Sequence, residues 1–328
     1  MSRIPLTAVL VGALVVALGL GLALGEVPLS AGQYLDAFRH PGAPAGEILW
    51  ALRAPRVVAA AVVGAALGLS GAVMQGLLRN PLAEPGVLGV SAGGGLGAAL
   101  AIAAGLAASP EAVQAAALAG ALLAGLAVAV AAARFREPEA LILFGVALSA
   151  FGGALTALVF NLSPSPVSNT EILAWLMGSV ANRDWTDIAR ALLPMAAGLA
   201  LCLYAARALL VMTLGEETAA LSGLPMERMR AAAVAGAALL TGAAVALAGV
   251  IGFVGLAAPH LVRGAVRGDP ERVLLPSALT GAILVVLADL IGRAAPTEVE
   301  LKLGVVTALF GAPMFALVAW RAARSWSA

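Results

Sequence analysis

The sequence predicts an all-α, polytopic membrane protein of about ten transmembrane helices, and three observations carry that prediction. Of its 328 residues 62% are hydrophobic and only 11% charged, too few charges to clothe a soluble protein of that size. The apolar residues fall in repeated runs of about 20, the helix length that crosses the hydrocarbon core of a bilayer. Those runs are Ala, Leu, Val and Gly without alternation, whereas barrel strands alternate lipid-facing and lumen-facing residues. The chain reads as one transmembrane domain over 1–328.

The first run, Ile4 to Gly25 behind Arg3, is longer than the 7–15 residues usual for a signal-peptide core, so it reads as a retained span. The others lie near 54–78, 86–107, 112–133, 140–161, 187–211, 231–249, 250–264, 274–292 and 301–320. The eighth is the shortest and is interrupted by glycines and Pro259. Ten spans put both termini on one side. With the N-terminus inside, twelve basic residues, among them Arg79, Arg134, Arg228, Arg263 and Arg321, fall on cytoplasmic segments. Seven fall outside: Arg39, Arg53, Arg56, Arg183, Arg190, Arg293 and Lys302. The bias favours cytoplasmic termini in a cytoplasmic (inner) membrane. Seven outer cations is still a high number and needs a reason.

Three connections carry more than chain reversal. Between the second and third spans, RNPLAEPG (Arg79 to Gly86) holds charge of both signs and two prolines, which fix a shape at the membrane surface. The outer segment 161–185 has an apolar middle with Trp175 and ends at Trp185, the pattern of a short interfacial helix. The inner segment 214–230 opens on Glu216 and Glu217 and breaks at Gly223 and Pro225. Two short helices there would form a docking site for a soluble partner; a solvated connector is the plainer alternative.

Glycine is frequent inside the spans. Gly64, Gly68 and Gly71, and again Gly249, Gly252 and Gly255, have the spacing that lets helices approach closely in lipid, within one subunit or between two.

The chemistry of enzymes is missing from the pattern. Lys302, in ELKLG, is the sole lysine, so there is no Walker-type phosphate loop. His40 and His260 are far apart, Cys202 is the only cysteine, and no nucleophile–base arrangement appears. Nor does any basic–aromatic interleaving point to nucleic acid. Cys202 reads as a small apolar residue within a helix. Movement of a solute across the membrane is the default for such a chain. Asp289 and Arg293 share one helix face at spacing four, which fits either a functional intramembrane charge or a structural pair. His260 reads as a packed neutral histidine, with a proton relay as the alternative.

Several segments together resemble one family, the permease subunits of binding-protein-dependent ABC importers for iron complexes, haem and vitamin B12. They are RAPR at 53–56, GAALGLSGAVMQGLLRNPLAEPGVLGVSAG at 64–93, LGEETAALSGLP at 214–225, AGVIGFVGLAAPHLVR at 248–263, DLIGR at 289–293 and LGVVTALFGAPMF at 303–315. The resemblance implies a ten-helix permease of type II importer architecture. It would work as a homodimer with the path between the copies, two separate ATPase subunits inside and a substrate-binding protein outside. ATP and Mg would belong to the ATPase, and this chain would hold no cofactor, no metal and no catalytic residue.

By the same resemblance, Arg53, Arg56 and Arg293 would dock glutamates of the binding protein, which would account for the outer positive charge. Asn80 and Leu82 match an inner gate in the vitamin B12 members. Leu214, Gly215, Glu216, Gly223, Leu224 and Pro225 match the ATPase-coupling element. One departure stands out: Lys302 replaces the proline that follows the acidic–Leu pair in those members, leaving Glu300 and Lys302 without a role. The implied function is ATP-driven import of a metal-chelate nutrient, an iron–siderophore or haem first and vitamin B12 next. An ion-gradient-driven secondary transporter using Asp289 and His260 is the rival.

Overall fold

The computed structural model describes residues 5–25, 27–135, 138–163, 165–212, 221–295 and 300–326. Among them it contains helices and no strand. In chain order these are α1 (Leu6–Ala23), α2 (Ala31–Arg39), α3 (Pro44–Leu77), α4 (Val90–Leu106), α5 (Pro110–Arg134) and α6 (Pro138–Leu162). They continue with α7 (Pro166–Leu176), α8 (Trp185–Met212), α9 (Met226–Ala248), α10 (Val254–Arg263), α11 (Leu274–Ala294) and α12 (Leu303–Trp326). Each of the ten expected spans is represented by a helix. Seven are long and apolar enough to cross a membrane; α4 and the Leu303–Leu317 part of α12 are shorter apolar helices. α10, with ten residues, is too short to cross alone.

α3 and α9 form the centre, each with 78% of its apolar window buried, against 11% for the peripheral α1 and α6. α3 packs on α11, α9, α10 and α8, while α9 also packs on α8, α5 and α4. Packing at the centre depends on missing side chains. A Cβ at Gly68 of α3 would overlap the carbonyl oxygen of Ser277 on α11, and one at Gly71 would overlap that of Gly255 on α10. Close backbone approach of this kind replaces the hydrophobic driving force that lipid cannot supply. A buried hydroxyl pair, Thr241 Oγ1 donating to Ser70 Oγ at 3.0 Å, ties α9 to α3 in the same layer.

Several boundaries differ from the expected ones. The second span was placed at 54, but α3 starts ten residues earlier, at Pro44. It passes Pro55 through a π-helical turn over Ile48–Arg53. Pro55 has no N–H to give and its ring crowds the preceding turn, so a widened turn lets the helix continue. α9 likewise begins at Met226, inside the segment expected as a surface connection. The second glycine group does not form one packing stripe. Gly249, with φ of 73°, ends α9, and Phe253, with φ of 68°, precedes α10, so of the three only Gly255 lies in a helix. Segment 161–185 contains an eleven-residue helix, α7, whose Ile172 is buried. The indole N–H of Trp185 donates to the Trp50 carbonyl at 2.9 Å, tying the start of α8 to α3.

Candidate functional site: an arginine cluster at one end and a folded loop at the other

Arg53 and Arg56 lie in the first part of α3, where the widened turn sets their direction. Arg53 is 5% exposed and points at the C-terminus of α1. Its Nη1 donates to the carbonyls of Leu22 and Ala23 at 2.9 and 3.1 Å and to the Tyr34 hydroxyl at 2.7 Å, and its Nη2 donates to Val27. A helix end leaves its last carbonyls without partners, and a guanidinium satisfies several at once. The expected docking role of Arg53 therefore meets a residue already committed to α1, without an exposed guanidinium face.

Arg56 and Arg293 meet at Asp289. Arg56 Nε lies 3.0 and 3.2 Å from the two Asp289 oxygens, and its Nη2 lies 2.8 Å from Oδ1. Arg293 Nη2 sits 3.0 Å from Asp289 Oδ2, while its Nη1 donates to the Leu24 carbonyl at 3.1 Å. The buried carboxylate thus bridges α3 and α11 through two arginines. Glu300 completes the cluster: its Oε2 accepts from Arg56 Nη1 at 3.2 Å and its Oε1 from Nη2. Two cations face two anions.

Beside the cluster is a cavity of about 530 Å³ lined by Arg53, Arg56, Arg183, Arg293, Asp184 and Glu300, among others. Arg183, in the turn before α8, lies 4.0 Å from Asp187. Burial lowers its affinity for its proton, against the pull of Asp187 and Asp184. Asp187 in turn accepts from Gln114 at 2.7 Å and fixes α5 against α8.

At the opposite end of α3 the RNPLAEPG segment folds into a compact loop. Arg79 takes a φ of 48°, and the Asn80 side chain accepts from the Leu82 N–H at 2.9 Å, closing a local turn. Leu82 is 45% exposed, whereas Ala83 and Glu84 turn inward. The Glu84 side chain reaches the start of α10 and lies against Gly255. Gln75 accepts from Arg263 at 2.6 Å and donates to the Gly255 carbonyl at 3.3 Å, so α3, the loop and α10 are joined by polar contacts. Neither Glu84 nor Gln75 was expected to matter. The lone acid of a proline-fixed loop was the available signal.

Of the expected coupling residues, Leu214, Gly215 and Glu216 lie outside the described residues. Gly223 has a φ of 74°, the Leu224 N–H donates to Ser222 Oγ at 3.3 Å, and Pro225 precedes the first turn of α9. Leu221 beside them is 88% exposed. His260 lies half-buried in the last turn of α10. The Lys302 carbonyl accepts from Val305 and Val306 at the start of α12.

The model of the FecCD transport family matches residues 13–321 of this chain. The chain belongs to the FecCD transport family. Among curated relatives, the vitamin B12 import system permease protein BtuC of Shigella sonnei (strain Ss046) is 41% identical, over 95% of this chain and 93% of that protein. The cobalamin import system permease protein BtuC of Halobacterium salinarum is 44% identical over 82% of this chain and 72% of its own length. Among solved structures, a metal-chelate type ABC transporter in an inward-facing conformation superposes with a TM-score of 0.86. It is 30% identical and covers 96% of this chain and 98% of that one. The family places this chain among membrane-embedded permease subunits, which makes the arginine cluster and the folded loop candidate working parts of a transporter.

Proposed function

We propose that the chain, an ABC importer permease, forms a homodimer that moves a metal chelate inward, powered by two separate ATPase subunits. The observation that carries this reading is the similarity to vitamin B12 permeases along nearly the whole chain. Cobalamin becomes the leading substrate, ahead of the iron–siderophore or haem implied by the sequence motifs, because the relatives are named for it. The orientation follows the charge bias, with both termini and Leu82 on the cytoplasmic side and the arginine cluster outside. The path runs between two copies. Two shallow apolar grooves support that placement, one lined by Ser91, Gly95, Ile172 and Leu176 and one by Val250, Gly304 and Pro313.

In this mechanism a loaded substrate-binding protein docks on the outer cavity through carboxylates directed at Arg56 and Arg293. Arg53 positions the rim by fixing α1. ATP binding closes the ATPase dimer, and the 214–230 segment passes that movement to α9. Asn80 and Leu82 close the inner end against the second copy. Coupling is a switch between two packings and needs no chemical step in this chain. Asp289, held between two arginines, is a poor ion-coupling group, which weighs against the gradient-driven rival. The decisive substrate experiment compares cyanocobalamin, a ferric siderophore and haem as ligands of the substrate-binding protein of the same transporter. Retention of cyanocobalamin alone is expected; retention of only an iron chelate would reassign the substrate.

A further inference from the structure

Resting on the docking reading above, we propose that Glu300 is a resident carboxylate that occupies the docking face of Arg56 and must be displaced when the binding protein arrives. Arg56 divides its donors between two acids of different character. Asp289 is 4% exposed and clamped by Arg56 and Arg293, so it is a fixed part of the bundle. The Glu300 side chain is 30% exposed, comes from the stretch before α12 instead of a packed helix, and lines the cavity mouth. Through Nη1 and Nη2 it takes the paired donor edge of Arg56, the geometry by which a guanidinium binds any carboxylate.

The charge balance makes displacement necessary. With Glu300 in place, Arg56 and Arg293 are matched by two acids, and Arg53 is spent on the carbonyls of α1. An incoming carboxylate would find the charges of Arg56 and Arg293 already balanced and the paired edge of Arg56 taken. Once Glu300 swings toward solvent, the cluster gains a positive charge and an open bidentate site. Glu300 therefore lowers affinity for acidic partners in general, and a partner that presents its carboxylate in register recovers the site. Such competition sets a threshold for docking, a form of specificity through repulsion of poor matches.

The test measures binding of the loaded substrate-binding protein to the assembled transporter in nanodiscs, at low and high salt. Glu300→Gln keeps the shape and removes the charge. It should tighten binding by about twofold to fivefold at low salt, the worth of a part-exposed pair, with the gain shrinking at high salt. In an Arg56→Gln background the same change should give no gain. Weaker or unchanged binding by Glu300→Gln, or an equal gain without Arg56, would overturn the proposal. If Arg56→Gln alone leaves affinity unchanged, the docking reading itself has failed. Glu300→Ser, with co-purification of the ATPase as the check on assembly, gives the same readout should the glutamine variant misassemble.

Discussion

Asp289→Asn tests whether the arginine cluster is structural. In the folded chain the Asp289 carboxylate receives Arg56 through Nε and Nη2, at 3.0 and 2.8 Å, and Arg293 through Nη2 at 3.0 Å. Asparagine keeps the volume and one acceptor oxygen but turns an N–H₂ toward a guanidinium. The cluster then has two cations against one anion, at a carboxylate position 4% exposed. Breaking a buried pair from one side costs about 3–5 kcal/mol. Because Glu300 stays on Arg56, the lower end applies: about 3 kcal/mol, a roughly 150-fold fall in the folded-to-unfolded ratio. Reversible unfolding in mixed micelles reads this directly. A loss under about 1 kcal/mol would mean that solvent already satisfies the cluster and would refute the structural argument. Unchanged stability with abolished gradient-driven uptake would instead revive Asp289 as an ion-coupling group.

Other expectations follow from single positions. Arg53→Gln should lower stability by about 1–3 kcal/mol through the unpaired carbonyls of α1; loss of docking with no loss of stability would contradict its assignment to α1. Gly71→Ala drives a methyl into the Gly255 carbonyl and should cost about 1–3 kcal/mol, checked by the same unfolding assay; a neutral result would mean that α3 and α10 can separate freely. Gly223→Val, strained at a φ of 74°, and Leu221→Glu should each reduce co-purification of the ATPase subunit, and full recovery in both would move the coupling surface elsewhere.

How much of this could be read from residues alone depends on the range of the interaction. α5, α6, α8 and α11 are predominantly apolar runs, and hydropathy located them within a few residues because the bilayer demands length and apolarity in one local stretch. The start of α3 was missed because Pro55 reads as a helix boundary, and only a widened turn, invisible to periodicity, carries the helix through it. At the site, Asp289 and Arg293 were legible as neighbours on one face. The partner that gives them meaning, Arg56, lies 233 residues from Asp289 and no spacing rule connects them. Arg53 illustrates the converse: the resemblance implied a docking role, and no motif shows that its guanidinium also holds the free carbonyls of α1. Glu300 and Lys302 stood without a role in the motif, and the geometry assigns the first of them to Arg56.

Proteoliposomes distinguish ATP-driven switching from coupling to an ion gradient. They would contain this chain, its ATPase and its binding protein, with labelled cyanocobalamin on the binding-protein side. Accumulation should require ATP on the ATPase side and persist when ionophores collapse all gradients. Accumulation without ATP that disappears with the ionophore would contradict ATP-driven switching.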